Sequence, residues 1–263
     1  MARENSFTFF GELETPPVVL FNEETKTYRV TFTLKTVRRN GRRDHPKINV
    51  YSLDEETARA YVSALKPGVF VQLRGMVATK MQQKPVCCER CGEVSRIDSL
   101  QSEIISYGKP FVLDMKINPA DITELANAGC LIGSLCTDVQ RMDTQPNSTA
   151  IQFQLAVNRR YRVNELQKAT RTDFPWIKVF GVTADECLKR LQVSSQVYIS
   201  GAFQTRDVNR HTRCSHCGKQ ITYPERVGEV VPTGIEFLNN CLFEESEHDK
   251  DIAANEVDAN EKK

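Results

Sequence analysis

Gly75-Met-Val-Ala-Thr-Lys80-Met-Gln-Gln-Lys-Pro-Val-Cys-Cys88-Glu-Arg-Cys91-Gly92 aligns without a gap on Gly201-Ala-Phe-Gln-Thr205-Arg206-Asp-Val-Asn-Arg-His-Thr-Arg-Cys214-Ser-His-Cys217-Gly218. The two Cys-x-x-Cys-Gly motifs coincide at an offset of 126 residues, nearly half of the 263-residue chain. With nine cysteines in the chain, about 0.3 Cys-x-x-Cys pairs arise by chance, and a following Gly makes each far rarer. Two such motifs at a half-chain offset call for a search for an internal repeat. The chain repeats itself.

The register extends outward in both directions. Phe10-Gly-Glu-Leu13 matches Ile132-Gly-Ser-Leu135. Phe32-Thr-Leu34 followed by Arg38-Arg39 matches Phe153-Gln-Leu155 followed by Arg159-Arg160, and Asp44–Tyr51 matches Asp173–Phe180. Alternating apolar residues predict strands near 6–13, 28–37, 47–51 and 69–73, and again near 130–135, 150–159, 176–180 and 197–199. A short helix is expected between the third and fourth strand of each copy, opened by the capping-box patterns Ser52-x-x-Glu55 and Thr183-x-x-Glu186. Lys66-Pro-Gly68 ends the first helix. A last strand is placed at 110–115 and 234–238. This is the element order of an OB-fold, a five-stranded Greek-key barrel. The expected fold class is therefore all-β, with one short helix per domain and a cysteine pair in the loop before each last strand. The expected domains are 1–118 and 130–243, joined by a linker at 119–129 and followed by a tail at 244–263.

Strand parity locates a ligand face. Ile177 and Val179 belong to the core, so Phe174, Trp176, Lys178 and Phe180 face outward. In the first copy Ile48 and Val50 point in, and His45, Lys47, Asn49 and Tyr51 point out. Beside these strands lie the basic runs Lys35–Arg43, with Arg38, Arg39, Arg42 and Arg43, and Arg159-Arg160-Tyr161-Arg162 followed by Lys168 and Arg171. Rings interleaved with cations suit single-stranded nucleic acid, whose bases stack and whose phosphates pair with Lys and Arg. Taken singly, a basic run is a solvated face, and exposed rings can pack under a loop or subunit interface.

The segment Phe153-Gln-Leu-Ala-Val-Asn-Arg159-Arg-Tyr161 resembles the Leu-Ala-x-x-Arg-x-aromatic segment of bacterial single-stranded DNA-binding proteins. Asp173-Phe174 with Val179-Phe180-Gly181 resembles that family's aromatic third strand, and Ser195–Arg206 its fourth, with the Gly-x-x-x-Thr-Arg ending. The resemblance covers most of 130–240 and, more weakly, 7–115. It implies stacking at Tyr161, Phe174 and Phe180, positions that become Asn40, His45 and Tyr51 in the first copy; a further stacking position falls on Val208. Arg206, and Lys80 at the same place in the first copy, join the expected contacts. Four OB-folds per working unit are common in the family, so two copies of this tandem chain would suffice as a homodimer.

Each Cys-x-x-Cys-Gly is a zinc-knuckle pattern that supplies two thiolates where a structural zinc needs four ligands. The simplest closure joins Cys88 and Cys91 to Cys214 and Cys217 around one Zn2+. Alternatives are completion of each knuckle locally or across chains by Cys87, His211 or His216, or a redox pair, for which the βαβ context is missing. Cys130, Cys136, Cys187 and Cys241 read as small buried hydrophobes.

The formal net charge of +1 is a sum of unlike parts. The tail from Glu244 holds eight acidic and three basic residues, leaving 32 basic against 26 acidic on 1–243. The near-neutral total thus hides a basic tandem body. Family tails end in a short hydrophobic tip that recruits replication and repair enzymes; this one ends Asn260-Glu-Lys-Lys263. The sequence has no Gly-x-x-x-x-Gly-Lys-[Ser/Thr] phosphate loop and no evident nucleophile–base set, so no enzymatic activity is expected. An odd cysteine count, no apolar span of membrane length and no secretory leader point to a cytoplasmic protein of bacterial, phage or mobile-element origin. The expected function is sequence-tolerant coating of single-stranded DNA in replication, recombination or repair. The competing expectation is a zinc-stabilised scaffold that binds RNA or a protein.

Overall fold

Alternation places the core in every long strand. In β1 (Asn5–Leu13) each odd-numbered residue is buried, which turns Phe7, Phe9 and Leu13 inward. The computed structural model describes residues 4–113, 117–123, 126–142, 148–159 and 172–242. After β1 come β2 (Val18–Asn22), β3 (Thr27–Val37), β4 (Arg43–Asp44), β5 (Lys47–Leu53) and α1 (Glu55–Ala64). The first half closes with β6 (Phe70–Cys87), β7 (Val94–Ser106) and β8 (Phe111–Leu113). A 3-10 turn at Pro119–Ile122 leads to β9 (Asn127–Leu135), β10 (Gln140–Arg141), β11 (Ala150–Asn158) and β12 (Thr172–Asp173). Last come β13 (Trp176–Phe180), α2 (Val182–Arg190), β14 (Gln196–Arg213) and β15 (Gln220–Asn239). The chain is mostly β, with two short α-helices among the described residues.

Pairing follows the same circuit in both halves. β1 pairs with β3, β3 with β5, β5 in parallel with β7, β7 with β6, and β6 again with β1. β9, β11, β13, β15 and β14 repeat the circuit, with β13 and β15 parallel. One buried cluster runs through both halves and includes Phe7, Phe9, Phe32 and Ile48 together with Leu131, Phe153, Ile177 and Phe203.

The structure corrects three local expectations. α1 is capped by Asp54, whose side chain accepts from Thr57 N, while Ser52 sits at φ 59 ahead of the helix. α2 follows Gly181 with no side-chain cap at all. Asp54 lies directly before the first helical turn and so wins over Ser52. The last strand expected at 110–115 is only the short β8 on the edge of β6; the long strand completing the circuit is β7. The fourth strands also run far past their apolar starts, forming hairpins whose tips carry the cysteine pairs.

The halves join where β1 pairs antiparallel with β9: Asn5↔Leu131, Phe7↔Gly129 and Phe9↔Asn127. Asn127 is the counterpart of Asn5, so an approximate two-fold axis passes through the Phe7–Gly129 pair. Asn5 exchanges hydrogen bonds with Val77 (Nδ2 to O 2.8 Å, N to Oδ1 2.9 Å), and Phe203 N donates to Asn127 Oδ1 at 2.9 Å. Only one side chain fits at the axis. A Cβ on Gly129 would lie 2.4 Å from the Phe7 ring and 2.4 Å from Ser6 O. Gly129→Ala should therefore cost about 1–3 kcal/mol through overpacking, read as a lower urea midpoint; an unchanged midpoint would show that the axis is loosely packed.

Candidate nucleic-acid interface and four-cysteine centre

In β13 the expected alternation is present: Ile177 and Val179 are buried, Trp176 and Lys178 are half-buried, and Phe174 and Phe180 are exposed. Lys178 Nζ lies 5.6 Å from the Phe180 ring centroid and 3.7 Å from Glu229 Oε1. Arg206 Nε lies 3.1 and 3.2 Å from the two oxygens of the same carboxylate. Burial lowers the pKa of the Lys178 ammonium, against the upward pull of Glu229. One acidic group thus orders two cations beside a ring, leaving excess positive charge on the face.

The first half departs from the expected pattern at Asn49. Lys47 is exposed and Tyr51 half-buried, but Asn49 is fully buried and accepts a hydrogen bond from the Thr31 hydroxyl. A neutral side chain can be enclosed there; the half-buried Lys178 is its counterpart. Tyr51 OH accepts from Arg29 Nη1 at 3.0 Å and donates to Glu103 at 3.3 Å. Burial, then the Glu103 charge, pushes its pKa up to about 12, so the ring stays neutral. Tyr51 and the exposed Lys80 line one groove with Leu20, Phe21 and Arg29. His45 and Lys47 line a separate cleft of about 180 Å³ together with Gln101, Thr205 and Arg226. The sequence reading missed Phe21 and Arg29: the apolar run 18–21 lacks alternation, and only its pairing with β3 gives it a position.

Arg38 and Arg159 take a different role from the one expected. Both pair with fully buried aspartates whose other contacts reach across the halves. Arg159 Nε and Nη2 hold Asp173 at 2.6 and 2.7 Å, and Asp173 Oδ1 accepts from Thr79 N at 2.8 Å. Phe174 N donates to Thr79 Oγ1 at 2.9 Å. On the other side Arg38 Nε holds Asp44 at 2.6 Å, Thr205 N donates to Asp44 Oδ1 at 2.6 Å, and His45 N donates to Thr205 Oγ1 at 2.7 Å. These two arginines build a symmetric clasp, because a buried carboxylate needs a paired cation. Arg39, Arg42 and Arg43 remain on the exposed surface. Arg160, Tyr161, Arg162, Lys168 and Arg171, like the acidic tail, lie outside the described residues.

The four motif cysteines converge. Their Sγ atoms all lie within 4.8 Å of one another, with Cys88–Cys217 and Cys91–Cys214 each at 3.6 Å. Each pair sits in the same tight turn. Cys88 N donates to Glu93 O and Gly92 N to Cys88 O; Cys214 N donates to Lys219 O and Gly218 N to Cys214 O. Gly92 and Gly218 take φ 74 and 69, which a side chain would strain. The N–H groups of Cys91, then Arg90, point at Cys88 Sγ and hold its thiol down to about 6, favouring the thiolate. Val86 and Ile221 pack around the cluster with Ile97 and Tyr223. Four thiols so placed could hold a metal ion; the alternative ligands Cys87, His211 and His216 stand outside the group. Of the other cysteines, Cys187 is buried as expected, whereas Cys130 and Cys241 are half-buried and Cys136 is exposed.

The two cysteine-tipped hairpins lie side by side. Lys84 Nζ donates to Pro224 O at 2.9 Å and sits 5.3 Å from the Tyr223 ring centroid, while Gln101 Nε2 reaches Glu225 Oε1 at 3.0 Å. No described helix is long and apolar enough to cross a membrane.

Comparison with known proteins places this geometry. Residues 126–223 match the model of the single-strand binding protein family. Single-stranded DNA-binding protein 1 of Chlorobaculum tepidum is 34% identical over 80 residues, covering 30% of this chain and 49% of the relative. The chain therefore matches about half the length of that curated relative. Wild-type single-stranded DNA binding protein from Thermus aquaticus superposes with a TM-score of 0.60 at 14% identity, over 94% of this chain and 99% of that one. A deletion mutant of the same Thermus protein gives 0.60 at 15% identity, over 94% and 100%. At such identity the likeness speaks for the fold alone, an OB-fold of the single-stranded DNA-binding kind. Residues 126–223 are thus the stretch in which the chain is similar to the single-strand binding protein family.

Proposed function

We propose that this chain is a non-catalytic single-stranded DNA-binding protein built from two OB barrels, 1–118 and 130–243, with the strand lying on the outer faces of β5 and β13. The observation that carries this is the β13 face: Phe174, Trp176, Lys178 and Phe180 remain at least partly exposed while Ile177 and Val179 are buried. Exposed rings interleaved with cations match a ligand of stacked bases and phosphates. The contacts assigned to DNA are Arg39, Arg42, Arg43, His45, Lys47, Tyr51 and Lys80 in the first half. In the second they are Phe174, Trp176, Lys178, Phe180 and Arg206, and the assignment extends by sequence to Arg160, Tyr161 and Arg162. β9 begins at Asn127, so the second unit reaches into the segment expected to be linker. The tail 244–263 is assigned as a solubilising or partner-binding extension, and a homodimer would bring four barrels together.

The four-cysteine centre fits a structural Zn2+. A tetrahedral site with Zn–S of about 2.3 Å places its sulfurs about 3.8 Å apart, close to the 3.6 Å separations here. The ion would pin the hairpin tips of the two halves together, and no chemistry on DNA is assigned to it.

Trp176 is the only tryptophan in the chain and lies on the proposed face. Its fluorescence should be quenched by poly-dT and left nearly unchanged by duplex DNA. Affinity should fall steeply with added salt, since each neutralised phosphate releases counterions. Absence of quenching by any single strand would overturn the stacking model, and quenching by poly-U alone would move the ligand to RNA.

A further inference from the structure

The first half has Asn40 in place of one family stacking ring and the smaller ring of His45 at another, and His45 is occupied: its Nδ1 lies 2.8 Å from Glu14 Oε2. Yet this half has aromatic and apolar surface of its own beside Tyr51. Among the described residues β2 pairs with β3 alone, and it exposes Val18, Val19, Leu20 and Phe21, the last at 49%. Its second-half counterpart, β10, is the polar pair Gln140–Arg141. Four consecutive exposed apolar residues on a sheet edge are unfavourable in water unless something covers them.

The surroundings of Phe21 indicate what covers it. A groove of about 530 Å³ is lined by Phe21 and Tyr51, by the cations Arg29 and Lys80, and by Leu20. The Phe21 and Tyr28 rings lie 4.8 Å apart between centroids, with Lys26 Nζ 5.9 Å from Phe21. Arg29 is held over Tyr51, its guanidinium 5.3 Å from the ring centroid. Lys80 has no acidic partner among the described residues. Glu23 and Glu24 also line the groove, leaving a phosphate to Arg29 and Lys80. The volume is that of a small-ligand site. The groove shares Tyr51 and Lys80 with the proposed DNA face, so a bound strand passes its mouth.

We propose that this groove is a nucleotide subsite belonging to the first half alone, in which one base of the bound single strand stacks on Phe21 and its phosphate pairs with Lys80 and Arg29. The inference rests on the single-strand reading of the protein and extends it: the first half makes up for its lost and weakened rings from a different strand. A protein partner docking on β2 would account for the apolar residues but not for the cations facing two rings.

The test compares the full-length chain with Phe21→Ala and Phe21→Trp, using anisotropy of labelled oligo-dT and Trp176 quenching. Phe21→Ala should weaken oligo-dT binding about 5- to 100-fold, the loss of one stacked base. Phe21→Trp should restore affinity and add a second quenched emission. Phe21 is half-exposed, so thermal midpoints should stay level across the three proteins; a fall in affinity accompanied by unfolding is resolved by Lys80→Ala, which should lower affinity with the fold intact. Wild-type affinity in both Phe21→Ala and Lys80→Ala, with Trp176 still quenched, would overturn the subsite and leave the single-strand reading standing. No binding or quenching in the wild-type chain would remove both.

Discussion

Asp173→Ala should destabilise the chain by about 3–5 kcal/mol, the cost of leaving a buried cation without its partner. Arg159 and Asp173 have side-chain exposures of 9% and 0%, so neither charge is screened by water. The aspartate accepts a bidentate guanidinium and the Thr79 backbone N–H at once. Its removal therefore breaks an ion pair and a link between the halves together. For a domain pair of this size the loss corresponds to a fall in melting midpoint of roughly 10 °C. Asp44→Ala should cost less, because Arg38 is 21% exposed and water can partly replace the lost partner. The double variant Arg159→Met/Asp173→Ala should recover much of the loss, since an apolar pair carries no desolvation penalty. A cycle of the three variants by urea unfolding measures the coupling. A single-variant cost below about 1 kcal/mol, the level of exposed pairs, would mean that the clasp is peripheral.

The clasp also shows where sequence reading reached its limit. The Arg38/Asp44 and Arg159/Asp173 pairs were visible as repeat-related residues. Nothing local distinguished them from arginines facing solvent, because their burial depends on Thr205 and Thr79, far away in the chain. The face of β13 was legible because Ile177 and Val179 are β-branched and alternate strictly with larger side chains. Asn49 obeyed the same parity but is enclosed by tertiary packing that a two-residue period does not encode. The hairpins were legible at both ends only: alternation marked their starts, and Cys-x-x-Cys-Gly marked their tips. Between them Lys80-Met-Gln-Gln-Lys84 carries no apolar rhythm, since that stretch of strand is mostly exposed. The start of α1 was displaced because two nearby residues could each serve as a cap, and Asp54 took the position from Ser52. β2 escaped notice because its apolar residues face solvent, the opposite of what a core strand requires.

Metal analysis should find one zinc per chain, and Cys88→Ser or Cys214→Ser alone should abolish it. With all four Sγ atoms within 4.8 Å of one another, each cysteine pair would supply half of one centre. Two thiolates retain zinc far less well than four, so no half-occupied state should survive either substitution. An ion held by all four thiolates would cross-link residues 88–91 to 214–217 and so close a loop of well over 100 residues. A cross-link of that span stabilises by about 4–5 kcal/mol through the entropy it removes from the unfolded chain. At about 2–4 °C per kcal/mol, chelation should lower the melting midpoint by roughly 10–20 °C. The loss should begin at the hairpin tips, where the thiols are packed by the small Val86–Ile221 cluster rather than the main core. Amide exchange should therefore quicken first near Cys88–Glu93 and Cys214–Lys219, while the β1–β9 junction stays protected. The circuits of strands do not pass through the cysteines, so the metal-free chain should keep its β structure below the lowered midpoint. Half a zinc retained after substitution at one knuckle would mean two separate centres, each completed by ligands outside this group.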